Sequence, residues 1–152
     1  MSYELRAIAT VRCERTELID DGWDAFESRL ELAADIPSEA LAGLESFSHV
    51  DVICVADRAR DVPPDPWARH PRGNTEWPLV GIFAQRNKDR PNRLLLSTTE
   101  IVRVEERRVI VRGLDAVDGT PVLDIKPVFH WSGPRTAVRA PSWSDELGDT
   151  YF

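Results

Sequence analysis

The residues best suited to binding an anionic ligand lie between positions 69 and 93. This stretch has only two acidic side chains, Glu76 and Asp89, against six basic ones, Arg69, Arg72, Arg86, Lys88, Arg90 and Arg93. Guanidinium groups bind phosphates or carboxylates through paired hydrogen bonds. A solvated surface loop is the ordinary interpretation of such a run. Pro91-Asn92, together with apolar segments on both sides, favours instead a shaped loop that binds a ligand.

A second candidate is the segment 113–121, GLDAVDGTP, which joins two strand-like runs. Asp118-Gly119 indicates a tight turn, because glycine adopts positive φ at little cost. The turn is either purely structural, or its exposed backbone groups contact a purine edge while a carboxylate binds a ribose hydroxyl. Spacing alone leaves both interpretations open.

Several common kinds of site have no support in the sequence. His49, His70 and His130 are scattered, and Cys13 and Cys54 form no CxxC pair, so we expect no metal site. The patterns GxSxG, GxxxxGK[ST] and GxGxxG are absent, which argues against a serine hydrolase, a P-loop and a Rossmann cofactor domain.

Length and charge limit the classes of protein further. The 152 residues suit one domain, with a core at about 3–131 and a tail at 132–152. No apolar run approaches the roughly 20 residues of a membrane span, and the N-terminus does not resemble a secretory signal. With two cysteines and no disulfide framework, we expect a cytoplasmic protein. The net charge of −7 argues against indiscriminate nucleic-acid binding.

The elements that must position these residues are mostly short strands. Apolar or alternating runs predict strands over 5–12, 50–55, 80–84, 101–104, 109–111 and 121–128, with a charged hairpin turn at 105–108. The best helix candidate is 38–44, with Ser38 as its cap and Gly43 near its end. Many short strands separated by turns predict an all-β fold with minor short helices, arranged as a small barrel or sandwich.

Three segments lack this periodicity. Residues 58–78 and 85–93 are predicted to be long loops, and loops of that length in a compact domain are usually functional or disordered. In the tail after Ser132, four apolar residues are candidates for docking onto the body or onto a partner subunit: Trp143, Leu147, Tyr151 and Phe152.

With these motifs together, the chain resembles the TsaA-like, or TrmO-like, family of S-adenosylmethionine-dependent methyltransferases. The resemblance covers nearly the whole chain and is carried by LAGLESFSHV (41–50), HPRG (70–73), GIFAQRNKDRPN (81–92) and GLDAVDGTPVLDIKP (113–127). It implies a small non-Rossmann β-barrel, a homodimer, and S-adenosylmethionine bound near the subunit interface. It also implies methylation of N6 of a threonylcarbamoyl-modified adenosine at position 37 of tRNA.

The resemblance also assigns cofactor contacts by motif. Arg86 is the first of them, with Leu96 packed beside the cofactor. The backbone of the turn Asp118, Gly119, Thr120 and Pro121 would cradle it. Asp57 and Arg58 match a further contacting position, and Asp20 to Trp23 align with an N-terminal cofactor loop.

Substrate contacts and the catalytic acceptor are assigned from residue type and motif position. Methyl transfer to a poorly nucleophilic amine needs precise positioning and a hydrogen-bond acceptor. Asn92, Asp118 and Asp124 are candidate acceptors, although Asp124 is better explained by an ion pair with Lys126. The predicted acceptor-binding residues are the basic Lys88, Arg90 and Arg93, with Trp77 or Trp67 stacking on a base.

One position departs from the family pattern. Where the family has RPNPIGLS or RPNRIGVS, this chain has RPNRLLLS, so Leu95 replaces a glycine. If that glycine served a positive φ or a close ligand approach, leucine would not replace it simply. Two alternatives to a tRNA methyltransferase therefore stay open. One is a methyltransferase for a small metabolite or free nucleoside, and the other is a non-catalytic cofactor-binding dimeric module.

Overall fold

The computed structural model describes residues 2–152, whose main body is a closed six-stranded barrel. The strands are β1 (Ala9–Arg12), β2 (Glu27–Leu32), β3 (His49–Val55), β4 (Ala68–Arg69), β5 (Val80–Gly81), β6 (Leu94–Glu105), β7 (Arg108–Arg112) and β8 (Pro121–Pro127). The order around the barrel is β1-β2-β7-β6-β3-β8, and every neighbouring pair is antiparallel. Strands β4 and β5 form a separate small sheet. The prediction of an all-β barrel with few short helices is confirmed.

The barrel interior is filled by alternate side chains of each strand, as the two-residue period of a strand requires. In β3, Val50, Val52 and Cys54 are buried, whereas the residues between them are more exposed. They meet apolar side chains from the other strands, including Val11, Leu30, Val109, Val111 and Val122. Apolar runs made β3 and β7 visible in the sequence, and alternation made β8 visible.

The predicted hairpin at 105–108 is also confirmed. Glu105 at the end of β6 lies opposite Arg108 at the start of β7, which leaves a two-residue turn at 106–107. Both side chains are paired, since the Arg108 guanidinium donates to the Glu105 carboxylate. Strand β6 is much longer than the predicted 101–104, because it begins at Leu94 and pairs with β3 along its first half.

The helix predicted at 38–44 is wrong. Two short 3-10 turns, Ser38–Leu41 and Leu44–Ser46, occupy this region. Gly43 between them has φ of +85°, so the backbone cannot continue as one helix. Ser38 lies inside the first turn, whose cap position is Pro37 and has no side-chain hydrogen bond.

Other expected boundaries also shift. Only Val80–Gly81 of the predicted strand at 80–84 is extended, and Ile82–Ala84 forms a 3-10 turn that buries Ile82. The first strand covers Ala9–Arg12 rather than 5–12. Strand β2 was not predicted, because its sequence ESRLEL is mostly polar. The loop at 58–78 contains β4 and the 3-10 turn Pro71–Gly73.

The C-terminal tail docks onto the barrel, as one of the two alternatives from the sequence proposed. It contains an unpredicted helix, α1 (Ser142–Gly148). The Trp77 indole donates to the Glu146 carboxylate at 2.8 Å, and the Trp23 amide donates to the Tyr151 carbonyl at 3.2 Å. Within residues 2–152, the helices lack the length and apolar character needed to cross a membrane.

Candidate active site

A cavity of about 970 Å³ opens at one end of the barrel. Three barrel segments meet there, because Val55 at the end of β3 lies opposite Leu94 at the start of β6, and Cys54 pairs with Val122 near the start of β8. The wall is completed by the loops at 18–23, 69–73 and 83–90 and by the tail. The volume lies within the range of about 300–1,000 Å³ that is typical of small-molecule sites.

The loop at 18–23 is shaped by one buried arginine. Arg15 donates to the carbonyls of Ile19 and Asp21, both at 2.6 Å, and its guanidinium lies 3.8 Å from the ring centre of Trp23. Of the expected N-terminal cofactor loop, Asp20 and Trp23 line the cavity. Sequence analysis did not single out Arg15, because a lone arginine between Glu14 and Thr16 has no recognisable pattern.

Five of the expected cofactor contacts line the cavity: Asp57, Arg58, Arg86, Leu96 and Thr120. Arg86 is held in place by a hydrogen bond of 2.6 Å from its guanidinium to the Leu96 carbonyl. This bond joins two residues that the family resemblance assigns to the same ligand. Arg58 is fixed in a similar way, since it donates to the Asp118 carbonyl at 3.0 Å.

The turn at 118–121 is bound to the barrel through its amide groups. The amides of Asp118, Gly119 and Thr120 donate to the carbonyls of Arg15, Val11 and Val117, at 2.8, 2.8 and 3.2 Å. Their N–H groups are therefore not free to contact a purine edge, contrary to one interpretation of the sequence.

The side chain of Asp118 is also occupied, since it accepts from the Cys13 amide at 3.1 Å. Among the described residues, Asp118, Gly119 and Pro121 lie outside the cavity lining, and Thr120 is the member of the turn that reaches it. Gly119 does have the positive φ expected of it, +87°.

The expected substrate contacts divide into two groups. Lys88 and Arg90 line the cavity, whereas Arg93 and Trp77 do not, and the candidate acceptor Asn92 also lies outside the lining of the described cavity. Trp77 is engaged by the tail, with its ring centre 6.3 Å from that of Trp143. The expected ion pair between Asp124 and Lys126 is confirmed at 2.7 Å, away from the cavity lining.

The basic stretch at 69–93 is largely neutralised, by its own Asp89 and by three acidic side chains from other segments. Four of its cations form ion pairs: Arg69 with Asp89 at 3.2 Å, Arg72 with Asp21 at 2.8 Å, Lys88 with Asp20 at 3.7 Å, and Arg93 with Asp61 at 3.3 Å. The field at the cavity mouth is consequently weaker than the local sequence suggests.

An aromatic pair lies beside the cavity, and Trp67, one of its two members, is outside the cavity lining. Phe83 lines the cavity with 72% of its surface exposed, and its ring centre is 6.4 Å from that of Trp67, which is 52% exposed. The Arg90 guanidinium lies 5.7 Å from the centre of the Phe83 ring. Exposed aromatic faces beside a cation form a suitable stacking surface for a planar ligand. Phe83 was not singled out in the sequence.

A carboxyl–phenol pair lies in the same cavity wall. The Tyr151 hydroxyl of the tail donates to the Asp115 carboxylate, and both residues line the cavity. Burial raises the pKa of Asp115, although the hydrogen bond from Tyr151 lowers it in part. Asp115 lies in the motif at 113–127 and Tyr151 in the docking tail, and no sequence pattern links the two residues.

Three buried polar atoms have no hydrogen-bond partner within residues 2–152: Trp23 Nε1, Arg69 Nε and Asn87 Oδ1. All three residues line the cavity. Because buried polar groups in folded proteins are nearly always paired, their position indicates that the cavity is built for a polar ligand. The described residues contain no group of three His, Cys, Asp or Glu side chains placed to hold a metal ion.

Comparison with known proteins identifies the family. The model of the tRNA-methyltransferase O N-terminal domain matches residues 20–132, most of the chain. The chain belongs to this family. The family match includes every barrel strand except β1, together with the loops that line the cavity, apart from Leu18, Ile19 and the tail.

Members and relatives of the tRNA-methyltransferase O family agree with this assignment. A protein of Pseudomonas aeruginosa named a putative S-adenosylmethionine-dependent methyltransferase, RcsF, is 36% identical over 122 residues, which are 71% of this chain and 49% of that protein. The tRNA (adenine(37)-N6)-methyltransferase of Escherichia coli is 40% identical over 101 residues, 62% of this chain and 42% of that enzyme. The chain thus spans half or less of these two relatives.

A solved structure of the tRNA-methyltransferase O family has the same fold. The crystal structure of TrmO from Pseudomonas aeruginosa matches with a TM-score of 0.74 and 29% identity, over 91% of this chain and 61% of that one. The barrel is therefore the architecture of the family.

The structure accommodates Leu95, which replaces a glycine of the family pattern, within a regular strand. Leu95 lies within β6, opposite Cys54 of β3, and packs against the barrel core while also lining the cavity. The described non-glycine residues with positive φ are Arg72 and Arg93, so Leu95 is not among them. Leucine therefore needs no strained backbone at this position, and its side chain shapes the cavity wall.

Proposed function

We propose that this chain is an S-adenosylmethionine-dependent methyltransferase that methylates N6 of adenosine 37 in tRNA, with a threonylcarbamoyl-modified adenosine as the acceptor. The observation that carries the proposal is the composition of the cavity wall. The wall contains Arg86, hydrogen-bonded to the Leu96 carbonyl, the exposed ring of Phe83, and three residues with unpartnered buried polar atoms. Relatives named tRNA (adenine(37)-N6)-methyltransferase and S-adenosyl-L-methionine-binding protein support it.

The residues of the cavity fit S-adenosylmethionine, which supplies an electrophilic methyl group when bound. Arg86 and Arg58 are placed for its carboxylate or hydroxyl groups, and Leu96 for the apolar side of its adenine. Trp23 Nε1 and Asn87 Oδ1 provide an unused donor and an unused acceptor for its polar groups. These residues would bind and orient the cofactor, and methyl transfer depends on such positioning.

The acceptor base is proposed to enter beside the aromatic pair. Phe83 and Trp67 offer ring faces for stacking on an unstacked nucleotide, and Lys88 and Arg90 lie in the same wall for its phosphates or its modification. Because most neighbouring cations are already paired, we propose that a homodimer doubles this surface for tRNA. The two free thiols are compatible with the cytoplasm as the proposed compartment.

One observation favours a second candidate function. The ion pairs that neutralise the 69–93 stretch, together with the net charge of −7, reduce the attraction for a polyanion. A methyltransferase for a small metabolite or a free nucleoside would use the same cofactor site and aromatic pair without needing a phosphate-binding surface.

The first experiment is calorimetry with S-adenosylmethionine, followed by methyl incorporation from labelled cofactor into bulk tRNA. We expect the wild-type chain to bind cofactor and to methylate tRNA, and Arg86→Ala to lose both. Arg139→Ala removes an exposed tail arginine and serves as the matched control.

The outcomes separate the candidate functions. No binding at millimolar cofactor would exclude both enzyme functions. Binding without methylation of any tRNA fraction, together with a methylated product in a metabolite extract, would replace the tRNA proposal with the small-molecule one.

A further inference from the structure

We infer that Asp115 is the group that accepts the N6 proton during methyl transfer, and that Tyr151 is the positioning residue that holds its carboxylate. The inference rests on the proposed function. It assigns a catalytic acceptor that differs from the three candidates suggested by the sequence, because the structure places Asn92, Asp118 and Asp124 outside the lining of the described cavity.

The choice of Asp115 follows from the carboxylates that do line the cavity. Within residues 2–152 these are Asp20, Asp57, Asp89 and Asp115. Asp20 is paired with Lys88 at 3.7 Å, and Asp89 with Arg69 at 3.2 Å, so both already neutralise a cation.

The remaining two carboxylates differ in exposure. Asp57 is exposed in the turn after β3, whereas Asp115 is half-buried between the buried Leu114 and Ala116. The Asp115 carboxylate accepts a hydrogen bond from the neutral Tyr151 hydroxyl, which occupies one carboxylate oxygen, Oδ2. The carboxylate therefore has Oδ1 and further lone pairs available to accept a hydrogen bond from the N6 amine that is to be methylated.

The reaction needs such an acceptor. The lone pair of an adenosine N6 amine is delocalised into the ring, so attack is assisted when a neighbouring group takes up the proton. In the proposed step, the N–C bond forms while the C–S bond breaks. The electron pair of the C–S bond stays on sulfur, giving a neutral thioether, and the N6 proton passes to the Asp115 carboxylate. One sulfonium charge and one carboxylate charge disappear together.

The electrostatic surroundings of Asp115 suit a base. Burial and the charge of Asp20 raise its pKa, whereas Lys88, Arg15 and the hydrogen bond from Tyr151 lower it. These groups come from the loop after β1, from the loop before β6 and from the tail. The Cys54 thiol of β3 also faces Asp115, and burial raises its pKa, so it stays neutral. A raised carboxyl pKa brings the base closer to the working pH.

Tyr151 is held firmly enough to position this carboxylate. Its carbonyl accepts from the Trp23 amide at 3.2 Å, and the Arg72 guanidinium lies 6.0 Å from its ring centre. Burial and the neighbouring Asp115 charge raise the pKa of the Tyr151 phenol, while Arg86 lowers it in part. The phenol therefore remains protonated and donates throughout the working pH range.

The test uses the full chain with cofactor and a tRNA that the wild type methylates. Single-turnover rates are measured from pH 5 to 9, and cofactor Kd by calorimetry. We expect Asp115→Asn to lower the rate about 10²- to 10⁴-fold. Its cofactor Kd should stay within about twofold of wild type, because the carboxylate contributes to the transition state rather than to uniform binding. Asp149→Asn makes the same change at an exposed tail position and should leave both values unchanged.

Tyr151→Phe separates positioning from a purely structural role. Loss of the phenolic hydrogen bond should raise the pKa of Asp115, so the acidic limb of the rate profile should move to higher pH. A carbon-13 NMR titration of the Asp115 carboxyl in the cofactor-free protein should show the same shift. This titration depends neither on activity nor on Asp115→Asn folding well.

Three results would overturn the inference. The first is a wild-type rate in Asp115→Asn, and the second is a cofactor Kd that rises as much as the rate falls, which makes Asp115 a cofactor ligand. The third is an unshifted acidic limb and titration in Tyr151→Phe. A wild-type protein that binds cofactor but methylates no tRNA refutes the proposed function instead, which is a distinct outcome.

Discussion

The guanidinium of Arg15 stacks on the indole of Trp23, with 3.8 Å between the guanidinium carbon and the ring centre. The same guanidinium donates to three carbonyls of the loop at 18–23, those of Ile19, Asp21 and Gly22. One buried side chain thus fixes both the backbone of this loop and the ring at its end. Since Trp23 lines the cavity with an unpartnered indole N–H, Arg15 controls the shape of a wall that it does not itself form.

We therefore expect Arg15→Lys to weaken cofactor binding about tenfold or more, because an ammonium lacks the planar fork that serves several acceptors at once. The melting temperature should also fall, since each lost charged hydrogen bond contributes about 1.5–3 kcal/mol. Calorimetry and thermal unfolding measure the two effects.

Arg107→Lys is the control for Arg15→Lys, because Arg107 is exposed and donates to a single carbonyl, that of Ala33. An unchanged cofactor Kd in Arg15→Lys would show that the loop needs no such support.

Asp61→Asn should increase the affinity for tRNA. Asp61 is an exposed residue that pairs with Arg93 at 3.3 Å, and its removal frees one cation of the basic stretch. An exposed pair contributes about 0.2–1 kcal/mol, so the expected gain is about 1.4- to fivefold in Kd at low salt. It should vanish as salt screens the added charge. Filter binding across a salt series measures the effect.

The control for Asp61→Asn is Glu39→Gln, which makes the same net charge change at an exposed position outside the basic stretch and the cavity. Equal gains in the two variants would mean that net charge, rather than a freed Arg93, governs tRNA binding. No gain in either would favour a small-molecule acceptor.

The paired cations also show what could not be predicted from the sequence. The 69–93 stretch was correctly recognised as basic, but its partners Asp20, Asp21 and Asp61 come from other segments, which only the fold brings near. The same holds for Asp115 and Tyr151, which are 36 positions apart. Sequence motifs predicted where most of the cavity wall lies, but not how its charges are cancelled.

The strands also differ in how well the sequence predicted them. Strand β3 was predictable because VDVICV is an almost continuous apolar run, which is typical of a buried strand. Strand β2 was not predicted, although it lies between β1 and β7 and is required to close the barrel. Its inward positions are Ser28, Leu30 and the partly buried Leu32, and two leucines among polar and charged residues did not mark a strand.

We expect Leu30→Ala to destabilise the folded barrel strongly. Leu30 has no exposed surface and packs in the barrel core, so the truncation leaves a cavity and should cost about 2–5 kcal/mol of unfolding free energy. Leu5→Ala makes the same change at a side chain that is 69% exposed and should cost little. Chemical denaturation of both variants measures the difference. Similar losses would mean that β2 contributes no more to the core than the N-terminal segment does.

The two free cysteines should differ sharply in reactivity. Cys54 is buried in β3, and burial, with a smaller effect from the charge of Asp115, raises its pKa to about 12. Because the thiolate is the reactive form, Cys54 should resist a thiol reagent at pH 8 in the native protein and react only after unfolding. Cys13 is half-buried and should react first.

The measurement is stoichiometric labelling followed by peptide mass spectrometry. Cys13→Ser should abolish the fast phase and Cys54→Ser only the slow one. Fast native labelling of Cys54 would show instead that β3 opens readily beside the cavity.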